Sequence, residues 1–209
     1  MKNTKVKICG IKNVETALIA EQSGADYIGL VFCQKSRRCI SINKAKEIIL
    51  ALNKKSSVVA LFSNDKEDYI KSVISSINID IIQFHGDETE NDCTKYGLPY
   101  IKGISESTDG FENLDKKFPN TEAFIIDSHD DDGLGGTGKT FDWSKNKFET
   151  KKPIIIAGGL NCDNVEDAIK VFLPYGVDVS SGVELEDGKK DLNLIKKFID
   201  IVKNEAKSK

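Results

Sequence analysis

Pro153-Ile154-Ile155-Ile156-Ala157-Gly158-Gly159-Leu160 is the most informative stretch of this chain. Its apolar, mostly β-branched residues run without a polar break, the pattern of a strand buried on both faces of a parallel sheet. The glycines that follow put no Cβ between backbone and ligand and permit positive φ. Asp163 or Asn164 is then expected to cap a helix through Phe172, with Val165, Ala168, Ile169 and Phe172 on one side. A strand, a glycine turn and a helix N-terminus make a site for anions, because unpaired N–H groups and the helix dipole favour negative charge. Val177-Asp178-Val179-Ser180-Ser181-Gly182 repeats the device. Either turn alone is an ordinary glycine turn. Two in succession near the C-terminus are where an eight-stranded β/α barrel keeps a phosphate site.

Working outward, strand-like and helix-like segments alternate along the chain. Strands are expected at residues 5–9, 27–32, 58–62, 79–84, 100–104, 123–127, 153–156 and 177–179. Helices are expected from Asn13 to about residue 23, after Ser41, at 65–77 and 89–96, somewhere in 108–117, at 164–172 and at 192–203. Eight units in 209 residues is about 26 residues each. With no linker or low-complexity insert between them, the expectation is a single (β/α)8 TIM-barrel domain over residues 1–209 with eight parallel strands. A doubly wound open sheet is the alternative, but it normally uses five or six strands.

Composition narrows the function. Hydrophobic residues make up 39% and charged residues 30%, as in a soluble globular protein, and a net charge of −3 does not recommend nucleic acid as a partner. The five cysteines, Cys9, Cys33, Cys39, Cys93 and Cys162, include no C-x-x-C pair and suit a reducing compartment. The basic start has no apolar run behind it, and no stretch approaches a membrane span. A cytoplasmic protein with no membrane partner is expected.

In a barrel, function sits at the C-terminal strand ends. Here these read Cys9-Gly10, Phe32 to Arg38, Phe62-Ser63, His85-Gly86, Gly103 to Ser105, Asp127-Ser128, Ala157 to Gly159 and Ser180 to Gly182. Polar groups gather at these ends while the strand interiors are apolar, which suggests an enzyme. Cys9 can act as a base if positive charge lowers its pKa, though most free cysteines are small buried hydrophobes. Alternation puts Lys7 on the same face one layer down. A buried ammonium needs a partner, and Asp178 on the closing strand is the candidate. This pair is expected to bias Cys9 toward thiolate. Asp127 is a candidate general acid, or else a loop-anchoring carboxylate. Arg38 could clamp a substrate carboxylate in bidentate fashion, with Arg37 beside it on the surface. His85 is expected to orient its neighbours. Gly133-Leu134-Gly135-Gly136-Thr137-Gly138-Lys139-Thr140 fits a nucleotide P-loop. No sustained helical period follows it and Asp130-Asp131-Asp132 precedes it, so a lid over the site is the better reading.

The chain resembles phosphoribosylanthranilate isomerase. The resemblance rests on K-I-C-G-I at 7–11, G-L-V-F at 29–32, Ser36-Arg37-Arg38, Q-F-H-G-D-E at 83–88 and I-I-D at 125–127. G-G-T-G-K-T-F-D-W at 135–143, A-G-G-L at 157–160 and D-V-S-S-G-V-E at 178–184 complete it. Arg37 stands where the family usually has proline. The resemblance implies a cofactor-free Amadori rearrangement in tryptophan biosynthesis, on a phosphorylated small-molecule substrate and without metal. Asp127 would protonate the sugar ring oxygen and Cys9 would remove the C2 proton. Arg38 would hold the anthranilate carboxylate, and backbone amides of Gly158, Gly159, Ser181 and Gly182 the phosphate. His85, Asp178 and Ser180 join the substrate-binding set, and a monomer or weak homodimer is expected. Two rivals are another phosphosugar isomerase or epimerase barrel and a non-catalytic phosphometabolite-binding barrel.

Overall fold

Each of the eight expected strands forms, and each pairs in parallel with the next. The structure, a computed structural model, describes residues 4–105, 113–127 and 150–205. In chain order these contain β1 (Lys5–Cys9), α1 (Val14–Ser23), β2 (Tyr27–Val31), α2 (Ile42–Ala51), β3 (Ser57–Phe62) and α3 (Glu67–Ser76). Next come β4 (Ile81–Phe84), α4 (Glu90–Thr94), β5 (Tyr100–Ser105), α5 (Leu114–Lys117) and β6 (Ala123–Asp127). The chain ends with β7 (Ile154–Ile156), α6 (Val165–Phe172), β8 (Gly176–Val179) and α7 (Leu192–Glu205). The sheet is a closed barrel in sequence order. Closure is made by β1 against β8, with Lys7 opposite Asp178 and Ile8 opposite Val179. A ring without edges excludes the open doubly wound sheet.

The two sides of each strand do different work. On β1, Val6 and Ile8 point outward into the layer shared with the helices, where they join Ala17, Ile28, Ile195 and Phe198. The inward side of the β5–β7 arc carries Ile101, Ala123, Ile125, Ile155 and Ala157, a separate apolar cluster that Ile81 packs against. Strand alternation produces both layers. The inner cluster fills the β5–β7 side of the barrel below the mouth, and the C-terminal strand ends are where a barrel of this kind receives its ligand.

Local chemistry sets most boundaries. Asn13 caps α1, its Oδ1 accepting from Thr16 N at 2.8 Å. Gly24 closes that helix in the left-handed region at φ 100°. Some expected bounds shift. β4 begins at Ile81 rather than 79; just before it the Asp80 carboxylate accepts from Val58 N at 2.7 Å while Asp80 N donates to Val58 O at 3.0 Å. α4 keeps one short turn behind its Thr89–Asp92 capping box. Asn164 sits at the N-cap of α6 but makes no side-chain cap there, so the expected capping by Asp163 or Asn164 is not what starts this helix. Of the helix expected in 108–117 only α5 is described, and the P-loop-like segment 133–140 and the lid reading fall outside the described residues. No helix among the described residues is long and apolar enough to cross a membrane.

Candidate active site

Three of the candidate side chains are seated over glycines. Gly29 of β2 lies opposite Cys9, and a Cβ there would come within 2.9 Å of Cys9 Cα and 3.0 Å of its Sγ. A Cβ on Gly103 of β5 would meet His85 Nδ1 at 2.4 Å, and one on Gly10 would meet Arg38 Cδ at 2.6 Å. Each glycine therefore opens the volume its functional neighbour occupies. Gly10 also has φ +79°, which a residue with a Cβ adopts only with strain. Gly29→Ala should push Cys9 out of register. A misplacement near 1 Å costs on the order of 10²-fold in kcat, with KM changing much less. Steady-state kinetics on the folded variant would check this, and an unchanged kcat would contradict it.

Under Cys9 lies the expected ion pair. Lys7 Nζ is 2.8 Å from Asp178 Oδ2, with side-chain exposures of 0% and 9%. Burial works against the ammonium, but the Asp178 charge and the Cys9 sulfur outweigh it and hold Lys7 above its ordinary pKa. Asp178 is thus committed to Lys7 beneath the rim. The expected bias of Cys9 toward thiolate is present, because Lys7 lowers the thiol, but it is outweighed. Burial, at 5% residual exposure, is the largest influence and raises the thiol; Lys7 and Lys190 lower it, Asp178 raises it, and the net shift is upward. The ammonium moderates the cost of desolvation without overcoming it.

His85 touches the candidate acid. Its Nε2 is 3.5 Å from Asp127 Oδ2, and its Nδ1 is 3.2 Å from Gln83 Nε2. With the Gln83 amide as donor, the neutral ring carries its proton on Nε2, facing the carboxylate. Gln83 is fully buried on the inward side of β4 and was not singled out from the sequence. The turn behind His85 is pinned by Glu88, which accepts from Gly86 N at 2.9 Å and Asn64 N at 2.6 Å.

Arg38 is not an idle clamp. Its Nε and Nη2 donate to the two oxygens of Glu184 at 2.7 and 2.9 Å. Arg37, expected on the surface, is largely exposed but also donates to Glu184, at 3.1 Å. Lys190 Nζ reaches the same carboxylate at 2.8 Å and Ser180 O at 2.8 Å. Burial alone would raise the Glu184 carboxyl, but hydrogen bonds and charge from Arg38 and Lys190 bring it down to about 2. Neither Glu184 nor Lys190 was expected from the sequence. Glu184 ends the D-V-S-S-G-V-E motif, and nothing in its spacing announces a partner in the loop after β2.

The two glycine turns pack on each other. Gly158 and Gly159 take φ +82° and +65°; Asn164 Nδ2 donates to Gly159 O at 2.9 Å while its Oδ1 accepts from Asn161 N at 2.8 Å, so the oxygen that would cap α6 is engaged in this turn. Gly182 forms a parallel bridge with Asn161, and a Cβ on Gly182 would sit 1.9 Å from Leu160 O. Ser180 Oγ donates to the Cys9 carbonyl at 3.2 Å, tying this corner to β1. Among the described residues no group of three or more His, Cys, Asp or Glu is placed to hold a metal ion.

Comparison with known proteins agrees with this geometry along the whole chain. The family model of N-(5'-phosphoribosyl)anthranilate (PRA) isomerase matches residues 6–201. N-(5'-phosphoribosyl)anthranilate isomerase of Xanthomonas euvesicatoria is 38% identical over 207 residues, covering 96% of this chain and 93% of the relative. A phosphoribosylanthranilate isomerase crystallised with reduced 1-(o-carboxyphenylamino)-1-deoxyribulose 5-phosphate superposes with a TM-score of 0.78 at 35% identity, covering 96% of this chain and 99% of that one. Monomers generated from the dimeric Thermotoga maritima enzyme superpose equally well, with a TM-score of 0.78 at 36% identity and the same coverage. With a closed barrel, a continuous match from β1 into α7 and relatives well above 30% identity over nearly their full length, this chain belongs to the phosphoribosylanthranilate isomerase family.

Proposed function

We propose that this protein isomerises N-(5'-phosphoribosyl)anthranilate to 1-(2-carboxyphenylamino)-1-deoxyribulose 5-phosphate in tryptophan biosynthesis. The family match across residues 6–201 carries the proposal. The presence of both proton-transfer candidates at strand ends of one barrel supports it.

The residue roles follow from the chemistry. Asp127 gives its proton to the furanose ring oxygen as the C1–O bond breaks, and the anthranilate nitrogen lone pair forms C1=N. Cys9, as thiolate, removes the C2 proton; that electron pair forms C1=C2 and the C1=N pair returns to nitrogen. The enolamine then moves a proton from the C2 hydroxyl to C1 and becomes the ketone. The sequence is redox-neutral within one molecule and needs no cofactor. Arg38 holds the anthranilate carboxylate, and amides of Gly158, Gly159, Ser181 and Gly182 hold the phosphate, with Ser180 beside them. His85 orients Asp127, and Asp178 acts through Lys7. The protein is expected to work in the cytoplasm as a monomer or weak homodimer.

A base whose pKa lies above the ordinary 9.0 has a clear pH signature. Below that pKa the thiolate fraction rises about tenfold per pH unit. Alkylation of the Cys9 peptide by iodoacetamide, followed by mass spectrometry, should therefore still be accelerating at pH 9. A plateau near pH 7 would show an activated thiol instead. For the function itself, loss of the substrate's anthranilate fluorescence on adding the protein is the test. Binding without turnover would favour the silent phosphometabolite binder, and turnover of a pentose phosphate instead would favour the epimerase.

A further inference from the structure

Glu184 lies at one end of a short hairpin, bridged to Lys190 in antiparallel register, with Leu185 N donating to Lys189 O at 2.7 Å. This hairpin follows the β8 turn. Its carboxylate reaches past the end of β1 to the loop after β2, where it takes the Nε and Nη2 donors of Arg38. The Arg38 stem crosses directly above Gly10. The Glu184 side chain is 3% exposed and Lys190 is 4% exposed, so neither is a loose surface partner. Lys190 is itself fixed on the carbonyl and hydroxyl of Ser180, at 2.8 and 3.2 Å.

We propose that Glu184 is a positioning residue that sets the span between the carboxylate-holding and phosphate-holding ends of the substrate. This rests on the reading of Arg38 as the holder of the anthranilate carboxylate. A guanidinium carries five N–H donors in a rigid fork. Glu184 occupies the edge formed by Nε and Nη2, which leaves the Nη1–Nη2 edge as the one to meet an incoming carboxylate. The same Glu184 carboxylate holds Lys190 against Ser180. One buried anion thus fixes Arg38 on one side of Cys9 and the Ser180 turn on the other, with β8, β1 and β2 adjacent in the ring. Without it the buried Lys190 and the partly buried Arg38 repel each other and Arg38 loses its preferred orientation.

The test uses two inhibitors of the intact protein: reduced 1-(o-carboxyphenylamino)-1-deoxyribulose 5-phosphate and its phenylamino counterpart without the carboxyl. The preference for the carboxylated compound should fall about 10- to 100-fold in Glu184→Gln. Inhibition by inorganic phosphate should move by less than about threefold, because the Asn161–Gly182 bridge and the Ser180–Cys9 hydrogen bond still hold the glycine amides that bind it. Glu184→Asp, which keeps the charge on a shorter stem, should lie between and serves if the Gln variant folds poorly. Arg38→Met should lose the preference outright, and adding Glu184→Gln to it should cost nothing more. A preference unchanged in the folded Glu184 variants but lost in Arg38→Met overturns the proposal and leaves the Arg38 reading standing. A preference that survives Arg38→Met overturns that reading, and the proposal with it.

Discussion

Asp127→Asn and Cys9→Ser should each lower kcat by on the order of 10²–10⁴ while leaving the affinity for the reduced product analogue within about threefold. The two substitutions keep shape and remove one proton-transfer step apiece. Asparagine fills the place of Asp127 beside His85, but its amide N–H is far too weak an acid to protonate the ring oxygen. Serine fits where Gly29 clears room for Cys9, but its hydroxyl is far too weak an acid to supply an anionic base. Loss confined to kcat identifies groups that act in the transition state. Combining the substitutions should cost less than the product of the single losses, because the steps lie on one path. Fluorescence-monitored turnover and inhibitor titration measure both quantities. A folded Asp127→Asn protein with near-normal kcat would remove this carboxylate from the chemistry.

Lys7→Met should destabilise the fold by about 3–5 kcal/mol, the usual cost of breaking one side of a buried pair. The ammonium is fully buried and Asp178 nearly so. Asp178 Oδ1 has no hydrogen-bond partner among the described residues, so removing Lys7 leaves both carboxylate oxygens stranded. Lys7→Met/Asp178→Leu should recover most of the loss, because a matched apolar pair carries no desolvated charge. The thiol responds in a defined direction. Of the influences that lower the Cys9 pKa, the charge of Lys7 is the largest, so without it the thiol should rise further and alkylate more slowly at a given pH. Urea unfolding and the alkylation profile report the two effects separately. An unchanged Cys9 profile would show that the pair under the barrel mouth does not act on the thiol.

Much of the architecture was legible along the chain because its causes are local. An apolar, β-branched run such as 154–156 bounded by Gly-Gly has the length and composition of a strand covered on both faces. The period-2 alternation of strands also placed Lys7 beneath Cys9, and the order of strands around a ring made Asp178 its neighbour. The short fourth helix and the Asp80–Val58 bonding ahead of β4 were not legible, because Asp80 and the Thr89–Asp92 box spend their hydrogen bonds on backbone groups that the pattern of apolar residues does not register.

The sequence by itself determined the eightfold alternation, the glycine turns for an anion and the identities of the candidate acid, base and arginine, since each follows from residue type and short-range spacing. Tertiary structure alone decided the electrostatics of those groups. Glu184 lies 146 residues from Arg38 in the chain, and Gly29 and Gly103 make room for side chains on other strands. Desolvation depends on everything packed around a group, which is why the Cys9 thiol stands above its ordinary pKa even though Lys7 lowers it.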